Sequence, residues 1–283
     1  MIAVTGATGQ LGRLVLAALA KQIPAGEIVA LVRSPEKAAD LAAAGFVVRA
    51  GDYTDPAALQ AALTGVDKLL LISSSEVGQR ATQHANVIAA AKAAGVTLVA
   101  YTSILHADTS VLALAEEHVA TEAALAASGL PHVLLRNGWY LENYLGNVAP
   151  GVAHGVVIGA AGDGVIHAAA RADYAAAAAE VLTAPDQAGK IYELAGDTGF
   201  TMAQFAATLS SLSGKPVAYQ NLSEADYAKA LEGFGLPAPF AAVLADSDIG
   251  ASKGGLSDTS GTLSALIGRP TTPLATVLQA ALA

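Results

Sequence analysis

The chain has 283 residues, a length that accommodates one large domain or two unequal ones. It carries 15 basic and 24 acidic residues, and the formal net charge of −9 disfavours a surface that neutralises nucleic-acid phosphates. The absence of cysteine excludes disulfides, thiolate nucleophiles, iron–sulfur clusters and cysteine-based zinc sites.

Hydrophobic residues make up 53% of the chain and the mean hydropathy is +0.48, which raises the question of a membrane span. The longest uncharged stretch, residues 143–162, is interrupted by glycines and by Pro150, so it reads as loops and a short strand. The chain enters Ile2–Thr5 without the basic segment and longer apolar core of a secretory signal. We expect a cytoplasmic protein with no membrane partner.

Short β-branched runs alternate with longer alanine-rich segments in the first 135 residues. Strands are predicted at Ile2–Thr5, Ile28–Val32, Val47–Ala50, Lys68–Ile72, Leu98–Tyr101 and Val133–Leu135. Helices are predicted between them, at Leu11–Lys21, Pro35–Ala44, Asp55–Leu63, Arg80–Ala94 and Ala113–Ala127. This alternation predicts an α/β fold with a Rossmann-type, doubly wound parallel sheet.

The alternation weakens after Arg136, and residues 136–283 are expected to form a smaller α/β lobe, with some segments returning to the first domain. Its predicted elements are helices at Arg171–Thr183, Met202–Ser213, Ser223–Leu231 and Thr272–Leu282, and strands at Ile191–Leu194 and Val217–Gln220. The segment Ser247–Thr262 is rich in Ser, Gly and Asp and is predicted to be a long surface loop. Such a loop is either functional or simply a mobile excursion.

A glycine-rich turn, Thr5–Gly12, follows the first predicted strand and precedes the first predicted helix. At that position glycines permit a tight turn, a close approach to a pyrophosphate and close packing of helix on strand. The sequence therefore predicts dinucleotide contacts at Gly6, Ala7, Thr8, Gly9, Gln10, Leu11 and Gly12. The alternative is a strand-to-helix turn without a ligand.

Arg33 follows the second predicted strand, at the position where enzymes that use NAD usually carry an acidic residue for the ribose hydroxyls. Because a guanidinium makes paired charge-assisted hydrogen bonds to phosphate, Arg33 favours the 2′-phosphate of NADP. The alternative is a solvated arginine at a strand end.

Further cofactor contacts are expected at the carboxyl ends of the other predicted strands. These candidates are Asp52, Ser73, Ser74, Ser75 and Tyr101. A capping or turn role is the alternative for each of them.

None of the eight tyrosines has a lysine four residues later, so the usual proton relay of short-chain reductases is absent. That absence favours an acceptor that tolerates negative charge. The six histidines form no closely spaced pair, so no metal site is expected. His118 lies on the helix after the fifth strand and is a candidate catalytic residue, with a purely structural role as the alternative.

Trp139 and Tyr140 follow the sixth predicted strand, at the mouth of the expected cleft. Flat aromatic rings there suit a flat ligand or the nicotinamide ring, and we treat both residues as candidate catalytic and cofactor contacts. An aromatic wedge between the two lobes is the alternative.

Several motifs together are similar to those of the NmrA-like atypical short-chain dehydrogenases, and within that group to bacterial NADPH-dependent quinone oxidoreductases. The motifs are Thr-Gly-Ala-Thr-Gly-Gln-Leu-Gly at 5–12, Val-Arg-Ser-Pro at 32–35, Leu-Leu-Leu-Ile-Ser-Ser-Ser-Glu-Val-Gly-Gln-Arg at 69–80, Leu-Leu-Arg-Asn-Gly-Trp-Tyr at 134–140, Arg-Ala-Asp-Tyr at 171–174 and Ser-Lys-Gly-Gly at 252–255. They extend the resemblance over essentially the whole chain.

The resemblance implies direct, flavin-free hydride transfer from NADPH to a small-molecule quinone. It also implies cofactor contacts at Asn137, Gly138, Trp139, Tyr140, Leu141, Glu142, Arg171 and Tyr174. His118 stands where many relatives have a lysine, which is a departure from the family pattern. The alternative function is a non-catalytic NADP(H)-sensing regulator that acts through a protein partner, and the sequence leaves a homodimer open.

Overall fold

The structure is a computed structural model that describes residues 1–283. The chain forms two compact units. The first comprises Met1–Ala107, Glu116–Asn137 and Arg171–Tyr192, and the second comprises Asp108–Ala115, Gly138–Ala170 and Glu193–Ala283. Compared with a division at residue 135, residues 108–115 lie in the second unit, and residues 136–137 and 171–192 lie in the first. None of the helices combines the length and apolar character that a membrane span needs.

The chain has nine strands. They are β1 Ile2–Val4, β2 Ile28–Val32, β3 Val47–Ala50, β4 Lys68–Leu71, β5 Leu98–Ile104, β6 His132–Asn137, β7 Val156–Gly159, β8 Ile191–Leu194 and β9 Ala218–Asn221. Seven of them form one sheet in the order β3-β2-β1-β4-β5-β6-β8. The pairs that join β3 through β6 in this order are all parallel, as the alternating sequence pattern predicts.

The order of strands reverses beside β1, because the chain builds outward to β3 on one side and then returns to place β4 on the other. Ligands of open α/β sheets bind at such a switch point, beyond the carboxyl ends of the strands. The predicted strand Ile191–Leu194 is present and joins the main sheet as β8, beside β6.

Twelve α-helices connect or follow the strands. They are α1 Gln10–Leu19, α2 Ala39–Ala43, α3 Pro56–Ala62, α4 Arg80–Ala94, α5 Ala115–Ser128, α6 Val148–His154, α7 Arg171–Thr183, α8 Met202–Ser213, α9 Glu224–Gly233, α10 Ala238–Ser252, α11 Thr262–Ile267 and α12 Leu274–Leu282. The nine predicted helices are present within a few residues, although Pro35–Ala38 is a 3₁₀ turn that precedes a short α2.

The core of the first unit lies where helices cover the parallel sheet. Its strand residues include Ala3, Leu69 and Tyr101, and its helix residues include Leu59 and Val87, all fully buried. All five residues of β2 and all seven of β5 are buried, as expected for strands with helices on both faces. Burial of each large aliphatic side chain contributes about 1.5–3 kcal/mol.

The loop predicted from Ser247 to Thr262 starts later in the structure, because residues 247–252 form the end of helix α10 and residues 253–261 form a turn and an irregular segment. Ser247 does not interrupt the helix because its hydroxyl donates to the Val243 carbonyl one turn earlier, at 2.7 Å. Gly250 allows α10 to pack closely on Leu112, since a Cβ there would lie 2.2 Å from the present position of Leu112 Cδ2. The small and polar residues of 247–252 therefore belong to a helix, and residues 253–261 lie outside regular secondary structure.

The second unit contains a two-stranded parallel sheet of β7 and β9 and a partly buried carboxylate at Asp248 of α10. Asp248 Oδ2 accepts a hydrogen bond of 2.7 Å from the Ala160 backbone N–H. Burial raises the pKa of Asp248 to about 6, although this hydrogen bond works in the opposite direction. The folded state therefore binds a proton on Asp248 more tightly than the unfolded state does.

We expect Asp248→Asn to stabilise the protein at neutral pH but not at acidic pH. Because the pKa of Asp248 is raised on folding to about 6, its proton-linked stability is present below pH 4 and is lost as the pH rises through 6. At 1.36 kcal/mol per pKa unit the gain at pH 7.5 is at most about 3 kcal/mol. Urea unfolding at pH 4.5 and 7.5 measures the difference in free energy of unfolding between the variant and the unsubstituted protein. Asp163→Asn, at an exposed carboxylate of the same unit, is the control, and equal gains in both variants would contradict the assignment to Asp248.

Candidate functional site

The turn between β1 and α1 is built on the carbonyl oxygen of Gly6. Gly6 has a φ of +57°, and its carbonyl accepts a hydrogen bond of 2.9 Å from the Gly9 N–H. A Cβ on Gly12 would lie 2.3 Å from the same oxygen, and a Cβ on Gly9 would lie 3.1 Å from it. Gly6 is therefore favoured by its backbone conformation and Gly12 by lack of space, while a side chain at Gly9 would be tightly packed. Helix α1 starts at Gln10, so Gly12 lies in its first turn, where the backbone N–H groups have no partner within the helix.

A cleft of about 310 Å³ opens at this turn, along the carboxyl ends of β1 to β4 in the first unit. It is lined by Gly6, Thr8, Gly9, Gln10, Leu11, Gly12, Leu31, Val32, Arg33, Gly51, Asp52, Tyr53, Ile72, Ser73, Ser74, Ser75, Glu76 and Gln83. The structure thus brings the predicted glycine turn, Arg33, Asp52 and the three serines into one cleft. Ala7 and Tyr101, which were also predicted as contacts, are buried and are not among its lining residues.

Tyr53 is a lining residue that sequence reasoning missed. Its hydroxyl donates to the Ile72 carbonyl at 2.8 Å and also contacts the Thr5 hydroxyl. Burial raises the pKa of Tyr53 well above its usual value, so the ring stays neutral. Tyr53 therefore ties the segment after β3 to the ends of β1 and β4.

The loop after β4 is held in place by histidine and glutamate side chains from α4 and α5. His84 Nε2 accepts a hydrogen bond of 3.0 Å from the Ser74 N–H, so its Nδ1 carries the proton that is donated to Thr121 Oγ1. Glu117 Oε1 accepts from the N–H groups of Gly78 and Arg80. These contacts fix the path of Ser74–Arg80 along one wall of the cleft.

Arg33 lies in the cleft beside two carboxylates. Its Nη1 is 2.8 Å from Glu76 Oε1, and the other oxygen of Glu76 accepts from Gln83 Nε2 at 2.7 Å. The pKa of Asp52 is lowered chiefly by hydrogen bonds from the backbone and side chain of Thr54, with a smaller effect from Arg33. Glu76 and Gln83 had no recognisable signal in the sequence, because only the folded loop brings them to Arg33.

Two residues that line the cleft each have a buried polar atom without a hydrogen-bond partner within the protein. These atoms are Ser73 Oγ and Gln83 Oε1. An unpaired buried polar atom costs about 1–3 kcal/mol, so native proteins rarely retain one without a ligand or water to pair with it. The phosphates and ribose hydroxyls of a dinucleotide supply donors and acceptors of the kind these atoms lack.

The candidate catalytic residue His118 is buried in a polar cluster and is not among the lining residues of the cleft. Its Nδ1 is 2.8 Å from the Tyr101 hydroxyl and its Nε2 is 3.5 Å from Arg80 Nη1. Burial, assisted by the charge of Arg80, lowers the pKa of His118 to about 3. At neutral pH this imidazole is therefore uncharged.

A buried ion pair joins β6 to α5 near the end of the sheet. Arg136 Nη2 lies 2.7 Å from Glu122 Oε2, and the hydroxyl of Ser103 donates to the other oxygen of Glu122. The Ser103 proton is thereby committed to a carboxylate. Asn137, a predicted cofactor contact at the end of β6, is buried and its Oδ1 has no partner within the protein.

The remaining predicted contacts do not line this cleft. Gly138–Glu142 belongs to the second unit, where the Ala169 N–H donates to the Trp139 carbonyl at 3.1 Å. Leu141 lines a separate cavity of about 570 Å³ in that unit, together with Phe200. Arg171 and Tyr174 lie in α7 of the first unit, and Tyr174 is buried.

A parallel sheet with a sterically constrained glycine turn at its switch point, and a cleft beyond its strand ends, defines a dinucleotide-binding α/β protein. The family model described as NAD(P)H-binding matches residues 6–185. The chain belongs to this NAD(P)H-binding family, and the NmrA-like resemblance is confirmed.

Relatives match the chain along nearly its whole length. Quinone oxidoreductase 2 of Escherichia coli K12 is 64% identical over 97% of this chain and 96% of its own. The crystal structure of the E. coli NADPH-dependent quinone oxidoreductase in complex with NADPH matches with a TM-score of 0.98, at 62% identity and full coverage of both chains. The crystal structure of the Citrobacter sp. triphenylmethane reductase complexed with NADP(H) matches with a TM-score of 0.96, at 41% identity, over 99% of this chain and 100% of the reductase chain.

We expect Gly9→Val to abolish NAD(P)H binding while the protein remains folded. A branched side chain at residue 9 occupies the approach to the first turn of α1, and its Cβ is already 3.1 Å from Gly6 O. Calorimetric titration with NADPH measures binding, and thermal unfolding reports the fold. Gly26→Val is the control, since a Cβ at residue 26 meets nothing within 4 Å. Unchanged affinity in folded Gly9→Val would refute the placement of the dinucleotide at this turn.

Proposed function

We propose that this protein is an NADPH-dependent quinone oxidoreductase that transfers a hydride directly to a small-molecule quinone without a flavin. The observation that carries this function is the cleft of the first unit, in which the glycine turn and Arg33 meet. The near full-length similarity to the E. coli quinone oxidoreductase supports the substrate class. We also propose a cytoplasmic location. The proposal makes no choice between a monomer and a homodimer.

The residues of the cleft fit the separate parts of NADPH. The N-terminus of α1 faces the turn of Gly6, Gly9 and Gly12, where backbone N–H groups suit the pyrophosphate. Arg33 is proposed to bind the 2′-phosphate through charge-assisted hydrogen bonds. Ser73 Oγ is proposed to pair with a phosphate or a ribose hydroxyl, which would satisfy its unpaired polar atom.

When bound, NADPH supplies a hydride from its nicotinamide ring. A quinone that takes up a hydride becomes a hydroquinone anion, whose charge is delocalised over the ring, and a proton from solvent completes the reduction. The chain needs no strong general acid for this second step. The residues near the ends of β5 and β6 agree with a reaction that needs no general acid. The His118 imidazole is neutral, and the Ser103 hydroxyl already donates its proton to Glu122.

The protein's contribution is then to position two flat rings and to exclude water from between them. We propose that Trp139 and Tyr140 contact the quinone, since they provide flat apolar surfaces with a polar edge. We propose that His118 positions Tyr101, because its Nδ1 lies 2.8 Å from the Tyr101 hydroxyl, and that it does not donate a proton to the substrate.

We expect Arg33→Ala to weaken NADPH binding by about 10- to 100-fold while NADH binding changes less than about threefold. One lost charge-assisted hydrogen bond costs about 1.5–3 kcal/mol, and 1.4 kcal/mol corresponds to a tenfold change. Calorimetric titration with both cofactors measures the difference. Lys21→Ala, which removes an exposed cation outside the cleft, is the control. Equal affinities for the two cofactors in the unsubstituted protein would contradict the role of Arg33.

We expect the enzyme to reduce benzoquinones and naphthoquinones but not simple aldehydes or secondary ketones, because an alkoxide product finds no proton donor. His118→Ala and Ser103→Ala should lower quinone turnover less than tenfold, whereas loss of a general acid costs about 10²–10⁴-fold. Trp139→Ala should lower turnover more than either. NADPH oxidation, followed by absorbance, measures all of these rates.

Two results would contradict this reaction. Efficient ketone reduction would indicate a proton relay that the structure does not identify. NADPH binding without turnover of any quinone would favour the alternative, a non-catalytic NADP(H) sensor that acts through a protein partner.

A further inference from the structure

The end of the cleft at Arg33, where the ribose 2′-phosphate is proposed to bind, also contains the carboxylate of Glu76. A site for an anion does not need this second negative charge. Glu76 lies on the loop after β4 and lines the cleft together with Arg33. Its Oε1 is 2.8 Å from Arg33 Nη1, so the guanidinium proposed to bind the 2′-phosphate already has an anionic partner. A phosphate that binds there must share Arg33 with Glu76 or displace it.

The position of Glu76 is well defined although the residue is exposed. Gln83 Nε2 donates to Glu76 Oε2 at 2.7 Å, and the backbone N–H of Glu76 donates to Ser74 Oγ at 3.1 Å. Ser74 is itself tied to α4 through His84 Nε2. The carboxylate is therefore directed to the ribose end of the cleft by contacts on both sides, and Gln83, which is buried, acts as its positioning residue.

A carboxylate at the ribose affects NADPH and NADH in opposite directions. It competes with the 2′-phosphate for Arg33 and repels the phosphate charge. With NADH it can accept hydrogen bonds from the ribose hydroxyls, which is the role of the acidic residue that NAD enzymes usually carry at the end of the second strand. In this chain Arg33 holds that position, so a carboxylate can reach the ribose only from another segment.

We propose that Glu76 is a specificity-determining residue, which lowers the preference of this site for NADPH over NADH by competing with the 2′-phosphate for Arg33 and by accepting hydrogen bonds from the ribose of NADH. This inference rests on the proposed function, because it concerns the same cofactor site. An exposed ion pair alone changes an equilibrium only a few-fold, so Glu76 moderates the preference that Arg33 provides and does not reverse it.

The test is the affinity of Glu76→Gln for both cofactors, measured by calorimetric titration at one fixed salt concentration. The substitution keeps the size of the side chain and its contact with Gln83 but removes the charge. We expect NADPH to bind about two- to fivefold tighter and NADH to bind about twofold weaker. Adenosine 2′,5′-bisphosphate and 5′-AMP, which lack the nicotinamide, should respond in the same two directions.

Two controls separate the proposed role from a general effect of charge or of loop structure. Asp40→Asn removes one carboxylate from the same unit, at a residue that pairs with Arg13 and does not line the cleft. Glu117→Gln weakens the anchor of the loop at Gly78 and Arg80 without removing the carboxylate beside Arg33. Neither control should change the ratio of the two affinities by more than about twofold.

The outcomes are distinct. Parallel changes for both cofactors in Glu76→Gln, or an unchanged ratio of their affinities, would overturn the role of Glu76 and leave the proposed function standing. An increase of the ratio in Asp40→Asn equal to that in Glu76→Gln would likewise overturn it, because net charge would then explain the effect. Failure of the unsubstituted protein to bind either cofactor would overturn the proposed function itself.

Discussion

The carbonyl oxygen of Gly6 is the constraint on which the site depends. It accepts the Gly9 N–H at 2.9 Å and leaves no room for a side chain at Gly12, where a Cβ would be 2.3 Å away. This contact places the N-terminus of α1 against the end of β1, at the point where the strand order reverses. The unpaired N–H groups of α1 and the ends of β2 to β4 therefore face one cleft, which Arg33, Asp52 and the serines after β4 also line.

The second wall of the cleft is set by tertiary contacts and not by the local sequence. The loop from Ser73 to Gly78 contains no helix or strand, and side chains of β5, α4 and α5 accept hydrogen bonds from its backbone at Ser73, Ser74 and Gly78. His84 performs this task because burial, with a smaller effect of Arg80, lowers its pKa to about 4, so the imidazole keeps an acceptor nitrogen at neutral pH. The same histidine protonated could not accept from Ser74, and the wall would lose its anchor.

Much of the fold was predictable from the sequence because parallel sheets leave a regular alternation of buried strands and alanine-rich helices. The glycine turn, Arg33 and the three serines were predictable for the same reason, since each directly follows a strand. Glu76 and Gln83 were not, because their meeting with Arg33 depends on the path of a loop. The end of helix α10 was predicted as loop because Ser247 and Gly250, typical of loops, are used there for a hydrogen bond to Val243 and for packing against Leu112.

The polar residues near the ends of β5 and β6 differ from those of a reductase that protonates an alkoxide. His118 is neutral, and Ser103 donates to a carboxylate that Arg136 also binds. Tyr101 is hydrogen-bonded to His118, and burial raises its pKa well above the usual value. None of the three groups is therefore a ready proton donor at neutral pH, because His118 has no imidazolium proton to give and Tyr101 and Ser103 retain their hydroxyl protons. A site built in this way suits an acceptor that carries the new negative charge itself, and a quinone has that property because its reduced ring delocalises the charge.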